Sequence, residues 1–180
     1  CGLGQAPPVR EFLRGALLGA MIPLPPLVLD ADALNTLAEI SGWWERLEAR
    51  AVLTPHPGEM ARLRRIPVAE VQAQRLTIAL EAAAEWGQVV VLKGAHSIVA
   101  DPEGRAWVSP FANPGLASAG TGDVLAGAIA GLLAQGLSCF DAAALGVFLH
   151  GLAGELARQE LGEAGMVASD LLPRLPLAWQ

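Results

Sequence analysis

The side chains that we single out as candidates for chemistry fall in four short polar segments of the sequence. Residues 30–32, 54–59 and 93–97 each follow an apolar run, and residues 113–123 precede a long apolar segment. These segments contain aspartates, a histidine, a glutamate and a lysine, which are groups that bind phosphates or metal ions. Ligands of open α/β sheets bind beyond the carboxyl ends of the strands, so the four segments are expected to form the rim of one cleft.

The clearest of these segments is the run Gly120-Thr121-Gly122-Asp123. Its small residues let the backbone approach a ligand closely. The helix that is predicted to begin there would present free N–H groups and the positive end of its dipole to an anion. Asp123 could belong to this ligand site, or it could only cap the helix at its first turn. The sequence favours an anion site and leaves both roles of Asp123 open.

Lys93 is the second candidate for an anion contact, and it is the only lysine in the sequence. It ends a β-branched run that is typical of a buried strand and precedes a glycine, which is an unusual position for a surface lysine. A compact ammonium group suits a phosphate as a point charge. His96 and Ser97 could donate further hydrogen bonds to the ligand, or they could only bond the local backbone. We interpret residues 93–97 as a phosphate-binding loop, with a solvated surface lysine as the alternative.

His56 and Glu59 form a third candidate group, after the second predicted strand. Pro55 and Pro57 stiffen the backbone around His56, and Pro57 excludes a helix that runs through it. His56 could be aimed at a ligand, or it could bond only within its loop. Glu59 could favour the first turn of a helix through the helix dipole, or it could hold a water of a magnesium ion near phosphates. His150 lies in an apolar helical pattern and is predicted to be a packed core histidine.

The elements that must position these segments follow from the hydrophobic pattern. Short apolar runs predict five strands, of which the last two form a hairpin: residues 26–30, 51–54, 89–93, 97–101 and 105–109. Apolar residues at helical spacing predict three helices, the last of them capped by Asp141: residues 68–86, 122–134 and 142–161. Strands that alternate with helices favour an α/β fold with a largely parallel sheet.

The composition predicts one folded domain. The 180 residues are 53% hydrophobic and 17% charged, which provides enough apolar surface to offset the entropy of ordering the chain. The formal net charge is −6 and no basic face is visible, so the sequence predicts no nucleic-acid partner. The apolar residues 124–140 form a short stretch interrupted by glycines, which favours a buried helix over a membrane span.

The two cysteines, Cys1 and Cys139, cannot form a disulfide framework, and we expect a reducing compartment, the cytoplasm. No His and Cys residues have the spacing of a zinc site. The sequence begins with Cys1 at a glycine turn, Gly2-Leu3-Gly4, rather than with Met. From this turn we expect that the natural protein begins upstream and that this chain is its C-terminal part.

Taken in order, these motifs resemble those of the ADP- or ATP-dependent NAD(P)H-hydrate dehydratases, a family of the ribokinase-like superfamily. The resemblance covers nearly the whole chain, and the His-Pro-Gly-Glu motif at residues 56–59 distinguishes it from sugar and pyrimidine kinases. The matching segments are residues 2–4, 28–34, 53–59, 91–97, 113–115, 120–127, 150–151 and 168–171. The resemblance implies an α/β, ribokinase-like three-layer sandwich with a largely parallel central sheet. Residues 1–180 would be the C-terminal portion of a single nucleotide-binding catalytic domain, with the N-terminal part absent from this chain.

The resemblance also implies an activity and a set of site residues. The S-epimer of hydrated NADH or NADPH would be dehydrated with ADP or ATP as co-substrate and Mg²⁺ as cofactor, which restores NADH or NADPH. Asp123 would be the catalytic base, and the hydrate would be bound by Gly4, His56 and Asp123. The adenine nucleotide would be bound by Lys93, Gly94, Ala95, His96, Ser97 and Gly122. On the chemistry described above, and not from the resemblance, Glu59 would hold the metal through a water.

The resemblance further implies a homo-oligomer, a tetramer, with a possible epimerase domain upstream and no membrane partner. Two other functions stay open at this point. One is a ribokinase-like kinase of a small vitamin-precursor alcohol, which would release a phosphorylated alcohol. The other is a non-catalytic adenine-nucleotide sensor, which would bind nucleotide without turnover and would have no need for a base such as Asp123.

Overall fold

The computed structural model describes residues 2–180, so the expectations that involve Cys1 lie outside the described residues. At the centre is a five-stranded sheet whose strand order follows the sequence. The strands are β1 (Leu27–Leu29), β2 (Ala51–Leu53), β3 (Val89–Leu92), β4 (Ile98–Ala100) and β5 (Ala106–Val108). All five lie within the runs that the sequence predicted as strands.

The sheet is mixed. β1, β2 and β3 are parallel, with Leu29 beside Leu53 and Leu53 beside Val90. β4 and β5 form the predicted hairpin, and β4 is also antiparallel to β3. The expected parallel arrangement is therefore found in β1 to β3. Only residues 93–97 connect β3 to β4, and this connection is too short for the crossover that a parallel pair requires.

Helices cover both faces of the sheet. The α-helices of the described chain are α1 (Pro7–Leu18), α2 (Asp32–Ala38), α3 (Pro57–Arg64), α4 (Val68–Ala73), α5 (Arg75–Trp86), α6 (Thr121–Ala134), α7 (Cys139–Leu161) and α8 (Leu175–Ala178). Helices α2, α3 and α5 pack with Leu53 and Val90 on one face. Helices α6 and α7 pack with Val52, Val89 and Val91 on the other. Successive side chains of a strand point to opposite faces, so the strands are buried on both sides and the three-layer arrangement is confirmed.

All three predicted helices differ from the structure in their bounds or continuity, and the helix predicted at residues 122–134 differs least, since α6 begins one residue earlier at Thr121. The segment 68–86 breaks at Gln74, whose φ of −130° is not helical, so α4 and α5 are separate. Helix α7 begins at Cys139 and is capped by Ser138, whose Oγ accepts a hydrogen bond from the Asp141 N–H at 3.2 Å. The prediction that Asp141 caps this helix is wrong, because the serine three residues earlier occupies the N-cap position.

Helix α7 is the one helix of the described chain that is long and apolar enough to cross a membrane, judged by length and composition alone. Half of its most apolar window is buried inside the fold, where Leu149 packs with Met166 and Leu171. A buried core helix passes the same test, so α7 is weak evidence for a membrane segment. The apolar residues 124–140 are divided between α6 and α7 by a turn at Gly136.

The parallel strands bring the polar segments together. The carboxyl ends of β1, β2 and β3 meet at one edge of the sheet, where residues 30–32, 54–59 and 93–97 follow them. Helix α6 begins at the same edge of the sheet. This is shown by Gly122, where an added Cβ would lie 3.5 Å from Lys93 Nζ. The four segments that the sequence singled out therefore surround one cleft.

Candidate active site

A cavity of about 560 Å³ lies between the loop after β3 and the start of α6. Its wall includes Lys93 and Gly122 from the two predicted anion-binding segments, and His56 from the segment after β2. Much of the remaining wall is apolar and includes Phe111, Leu116, Leu125 and Val147. A concave surface that combines apolar walls with a few polar groups is the usual form of a small-molecule site.

Lys93 lies at this cavity in an ion pair. Its Nζ donates to Asp30 Oδ1 at 2.6 Å and lies 3.9 Å from Glu59 Oε2. Asp30 is 5% exposed and Glu59 is 4% exposed, so both carboxylates are buried beside the ammonium group. This geometry excludes the alternative of a solvated surface lysine. Asp30, which the sequence marked only as polar after the first strand, is the partner that sequence reasoning missed.

The chain changes direction directly after Asp30. Ala31 has a φ of 48°, which is uncommon for a residue with a Cβ. Asp32 Oδ2 accepts a hydrogen bond from the Gly4 N–H at 2.8 Å, and Oδ1 accepts one from Gln5 Nε2 at 2.9 Å. These bonds, first from Gln5 and then from Gly4, lower the pKa of Asp32. Asp32 thereby holds Gly4 at the end of β1, at the cleft edge, although Gly4 does not belong to the described cavity wall.

His56 caps α3 and shares a capping box with Glu59. His56 Nδ1 accepts hydrogen bonds from the N–H groups of Gly58 and Glu59 at 3.0 and 3.3 Å. Glu59 Oε2 accepts one from the His56 N–H at 2.8 Å. An accepting Nδ1 carries no proton, so the neutral ring is protonated at Nε2. The ring is half exposed and lines the cavity, so His56 bonds within its loop and also borders the site.

Glu59 stabilises the start of α3, which is the first of the two roles that the sequence left open. Oε2 accepts from the His56 N–H, and Oε1 lies 3.5 Å from His56 Nε2, so both oxygens face groups of the protein. Within residues 2–180, no group of three or more His, Cys, Asp or Glu side chains could hold a metal ion. A metal here would take most of its ligands from waters and bound phosphates, as Mg²⁺ commonly does, and Glu59 could reach it through a water.

The loop after β3 is closed by its own side chain. Ser97 Oγ donates to the Gly94 carbonyl oxygen at 3.0 Å and accepts from the Gly94 N–H at 3.2 Å. The Lys93 N–H donates to the Pro55 carbonyl oxygen at 2.9 Å, which joins the loop to the end of β2. The structure brings five of the six predicted nucleotide-binding residues to the cavity wall, four of them from this loop: Lys93, Gly94, Ala95, Ser97 and Gly122.

His96 is the loop residue that the structure does not place in the cavity wall. Its φ is 52°, and its N–H donates to the Phe111 carbonyl oxygen at 2.9 Å. Its Nδ1 lies 3.0 Å from the Ser109 carbonyl oxygen, and since a carbonyl only accepts, Nδ1 donates. The ring is therefore bonded to the chain that follows β5, which is the local backbone role considered for it above.

The start of α6 presents an unpaired amide to the cavity. Gly120 is the N-cap with a φ of 87°. The N–H groups of Thr121 and Asp123 donate to the carbonyl oxygens of Ser118 and Gly120. The Gly122 N–H has no backbone acceptor within residues 2–180, and Gly122 lines the cavity. An unpaired amide at the positive end of a helix dipole favours an anion.

Asp123 is exposed in the first turn of α6 and does not cap this helix. Within the described residues its carboxylate has no hydrogen-bond or ion-pair partner. The alternative role of Asp123 as a helix cap is therefore not observed. Asp123 does not belong to the described cavity wall, but it follows Gly122, which does, and its exposed carboxylate is available to a ligand.

His150 is buried in α7 and also borders the cavity. Its Nε2 lies 2.9 Å from the Thr121 carbonyl oxygen and donates to it. Burial lowers the pKa of His150 to about 4, and the charge of Lys93 acts in the same direction, while the bond to Thr121 opposes the shift. The prediction of a packed core histidine is confirmed, and His150 additionally anchors the start of α6.

We expect His150 to make the protein less stable as the pH falls from 6.5 to about 4. The unfolded chain binds a proton near the ordinary pKa of 6.5, whereas the folded state keeps the ring neutral down to about pH 4. Protons therefore favour the unfolded state in this window, and the stabilisation is fully present only above it. The expected loss is roughly 3 kcal/mol.

Urea unfolding at about pH 7 and about pH 4.5 measures this loss. The variant His150→Gln retains an amide donor for the Thr121 carbonyl but cannot titrate in this range. It should lose less stability between the two pH values than the parent protein. Equal losses in the two proteins would show that His150 does not cause the pH dependence.

Asn113 contributes an unpaired donor to the cavity wall. Its Oδ1 accepts from the Gly115 N–H at 2.9 Å, which fixes the orientation of the amide. Its Nδ2 is buried and has no hydrogen-bond partner within residues 2–180. A buried donor without a partner costs about 1–3 kcal/mol, so we expect this amide to donate to a water or to a ligand. The sequence marked Asn113 only as part of a polar segment.

In sequence, the chain is similar to NAD(P)H-hydrate dehydratases. The family model described as NAD(P)H-hydrate dehydratase matches residues 1–177. A bifunctional NAD(P)H-hydrate repair enzyme of Moorella thermoacetica is 46% identical over 175 residues, which cover 97% of this chain and 32% of the relative. The ADP-dependent (S)-NAD(P)H-hydrate dehydratase of Neisseria meningitidis is 43% identical over 178 residues, which cover 96% of this chain and 59% of the relative.

The fold has a counterpart among solved structures. The crystal structure of the ADP/ATP-dependent NAD(P)H-hydrate dehydratase from Bacillus subtilis, co-crystallized with ATP and Mg²⁺, matches with a TM-score of 0.85 and 37% identity. The match covers 99% of this chain and 61% of that chain. This chain therefore spans between one third and three fifths of the length of the proteins to which it is similar.

Proposed function

The chain belongs to the NAD(P)H-hydrate dehydratase family, and from this premise we propose that it dehydrates the S-epimer of hydrated NADH or NADPH with ADP or ATP. The observation that carries the proposal is the cavity at the start of α6, where the Gly122 amide lies close to the Lys93 ammonium and is followed in the chain by Asp123, whose exposed carboxylate has no partner among the described residues. In this proposal, residues 1–180 are the C-terminal portion of a single ribokinase-like catalytic domain.

The adenine nucleotide would occupy the cavity. Its phosphates would approach the Gly122 N–H, the positive end of the α6 dipole and the loop residues 93–97. Its base would meet the apolar wall that includes Phe111, while the unpaired Nδ2 of Asn113 offers a donor to a ring nitrogen. His96 would contribute through its backbone, because its ring is bonded to Ser109.

Gly151 gives a test of this placement, since it leaves room for Phe111. A Cβ on Gly151 would overlap the Phe111 ring, which lines the cavity. Gly151→Ala should therefore destabilise the protein by about 1–3 kcal/mol and weaken ADP binding at least about tenfold. Thermal unfolding and calorimetric titration with ADP measure the two effects.

Gly127 provides the matched control, because a Cβ at this position in α6 would meet nothing within 4 Å. Gly127→Ala should raise the stability by about 0.5–1 kcal/mol and leave ADP binding unchanged. If Gly151→Ala bound ADP as tightly as the parent protein, the adenine ring of the nucleotide would not lie against Phe111.

The proposed reaction has two steps. The hydroxyl group of the hydrated carbon attacks the terminal phosphorus of the nucleotide, its proton passes to the Asp123 carboxylate, and AMP leaves from ADP or ADP from ATP. The attack forms a new phosphorus–oxygen bond, and the original carbon–oxygen bond of the hydrate then breaks, so that phosphate leaves with the bonding electrons. Loss of a proton from the neighbouring ring carbon restores the dihydronicotinamide. The oxygen of the hydrate ends in inorganic phosphate, and no oxidant or reductant is consumed.

Mg²⁺ fits this site as a partner of the phosphates. When bound, it would neutralise negative charge on the transferring phosphoryl group. Among the described residues, Glu59 would reach the ion through a water, and no group of three or more His, Cys, Asp or Glu side chains could hold it directly. Lys93 would supply a second positive charge beside the phosphates, and this charge would come from the protein itself.

The hydrate would lie on the open side of the cavity, against the ends of β1 and β2. His56 borders the cavity from there with a ring that is half exposed and protonated at Nε2. Gly4 is held at the end of β1 by Asp32. A hydrate in this position would place its hydroxyl group between the phosphates and Asp123.

We keep three further expectations as parts of the proposal. The protein would act in the cytoplasm, assemble as a homotetramer and work beside an epimerase domain in the full-length protein. The name of the Moorella relative, a bifunctional repair enzyme, supports the last of these. Exposed apolar side chains of the segment around α1, such as Phe12, Met21 and Ile22, are consistent with a covered surface.

A turnover assay on the full-length protein tests the proposed function. Hydrated NADH with ADP or ATP and Mg²⁺ should yield the absorbance of the dihydronicotinamide together with AMP or ADP and phosphate. A kinase of a small alcohol would instead yield a phosphorylated alcohol and no restored absorbance. A nucleotide sensor would bind ADP and release neither product, and either result would overturn the proposal.

A further inference from the structure

Arg75, the first residue of α5, lies beneath the loop that follows β3. Its guanidinium donates to the carbonyl oxygens of Leu92 and Lys93, with Nη2 at 3.2 and 3.4 Å and Nη1 at 3.4 Å from Lys93. Its remaining side-chain contact is with Gln72 Oε1, at 3.2 Å from Nη1. Within residues 2–180 no carboxylate pairs with Arg75, although it is partly buried. A partly buried arginine without a counter-ion calls for an explanation, because arginine stays charged in proteins.

The charged residues around the loop include more carboxylates than cations when Arg75 is left out. Lys93 faces the two buried carboxylates of Asp30 and Glu59, so this group carries one positive charge against two negative charges. Asp123, which follows Gly122 in α6, adds a third negative charge. Arg75 brings a second positive charge to the side of the loop, which offsets one of the negative charges that Lys93 alone does not balance. Arg75 is the cation beside the loop that no carboxylate in the described chain neutralises.

The geometry places this charge close to the ligand side of the loop. Gly94 has a φ of 142°, and a Cβ at this position would lie 3.0 Å from Arg75 Nη1. Gly94 also lines the cavity, so only the glycine backbone separates the guanidinium from the cavity at this point. The carbonyl oxygen of Lys93 accepts from Arg75, and in a trans peptide the Gly94 N–H then points to the opposite side, where it donates to Ser97 Oγ.

We propose that Arg75 is a positioning residue of the nucleotide site: it holds the loop from below and attracts the phosphates of the nucleotide through the glycine backbone. The inference rests on the proposed function, because it takes the anion in the cavity to be a nucleoside diphosphate or triphosphate. Arg75 does not touch the ligand, so its contribution grows with the number of phosphate charges and falls as salt screens them.

A ligand series separates this role from a purely structural one. The affinities of adenosine, AMP, ADP and ATP are measured by calorimetry on the full-length protein, at low and at raised salt. Arg75→Gln keeps an amide that can donate to the carbonyls but removes the charge. It should weaken adenosine binding less than about twofold, AMP binding several-fold and ADP binding about tenfold, and raised salt should narrow these differences.

Two further variants complete the test. Arg75→Lys retains the charge and should keep ADP binding within about threefold of the parent protein. Arg46→Met removes an exposed arginine that precedes β2, at the opposite end of the strands, and should leave all four affinities unchanged. In turnover, Arg75→Gln should raise the KM for ADP and leave kcat nearly unchanged.

The result that overturns the proposal is an equal loss for adenosine and ADP in Arg75→Gln, which would assign Arg75 a structural role only. An unchanged ADP affinity in a folded Arg75→Gln variant would overturn it as well. Failure of the parent protein to bind any adenine nucleotide is a different outcome, since it would overturn the proposed function itself and with it this inference.

Discussion

Replacement of Asp123 by Asn should lower the turnover of hydrated NADH by about a hundredfold to ten-thousandfold and leave the affinity for ADP within about twofold. Asp123 is exposed, has no partner in the described chain and stands next to Gly122, which lines the cavity. The carboxylate would take the proton of the attacking hydroxyl group. An amide has the same shape but no basic oxygen, so binding should survive and proton transfer should fail.

Asp141 provides the control for this substitution. It also lies in the first turn of a helix, and its N–H donates to Ser138 Oγ at the start of α7. The Asp141→Asn variant should turn over hydrated NADH at the rate of the parent protein. Asp141 follows the turn that ends α6 and is therefore remote from the start of that helix, where Asp123 lies. Initial rates and ADP titrations of both variants give the comparison. If Asp123→Asn retained activity within a few-fold of the parent protein, Asp123 would not be the base.

The strands could be predicted because burial on both faces leaves a local pattern. Val89–Leu92 is a continuous β-branched and apolar run, and it is buried throughout. The first two helices that begin at the cleft, α2 and α3, have weaker patterns in the sequence. Helix α2 has seven residues and no side-chain cap, and α3 is capped by His56, which is not among the usual N-cap residues.

The site could be predicted as a set of segments but not as a set of contacts. The carboxyl ends of parallel strands must meet, which is why residues 54–59 and 93–97 came together. The partner of Lys93, however, is Asp30, 63 residues away in sequence, and Arg75 reaches the loop from the start of α5. Such pairs depend on which strands are neighbours and on where a helix crosses the sheet. No local pattern in the sequence carries that information.

Replacement of Lys93 should lower both the free energy of unfolding and the affinity for ADP by a large amount. Lys93→Met removes the ammonium group that lies 2.6 Å from the buried Asp30 and 3.9 Å from the buried Glu59. Breaking a buried ion pair by removal of one partner costs about 3–5 kcal/mol, because the remaining charge stays in a medium of low polarity. Urea unfolding should show this loss, and ADP binding should weaken in the same variant.

The double variant Asp30→Asn with Lys93→Met separates the two effects. It removes both charges of the pair, so most of the stability lost in Lys93→Met should return. If Lys93 binds phosphate, the affinity for ADP should still be lower by roughly tenfold to a hundredfold, because the charge-assisted contact is absent. Recovery of stability together with full recovery of ADP affinity would mean that Lys93 acts only by neutralising Asp30. The phosphates would then depend on the Gly122 amide, the helix dipole and Arg75 for their positive surroundings, and the charge of Lys93 would belong to the fold rather than to the site.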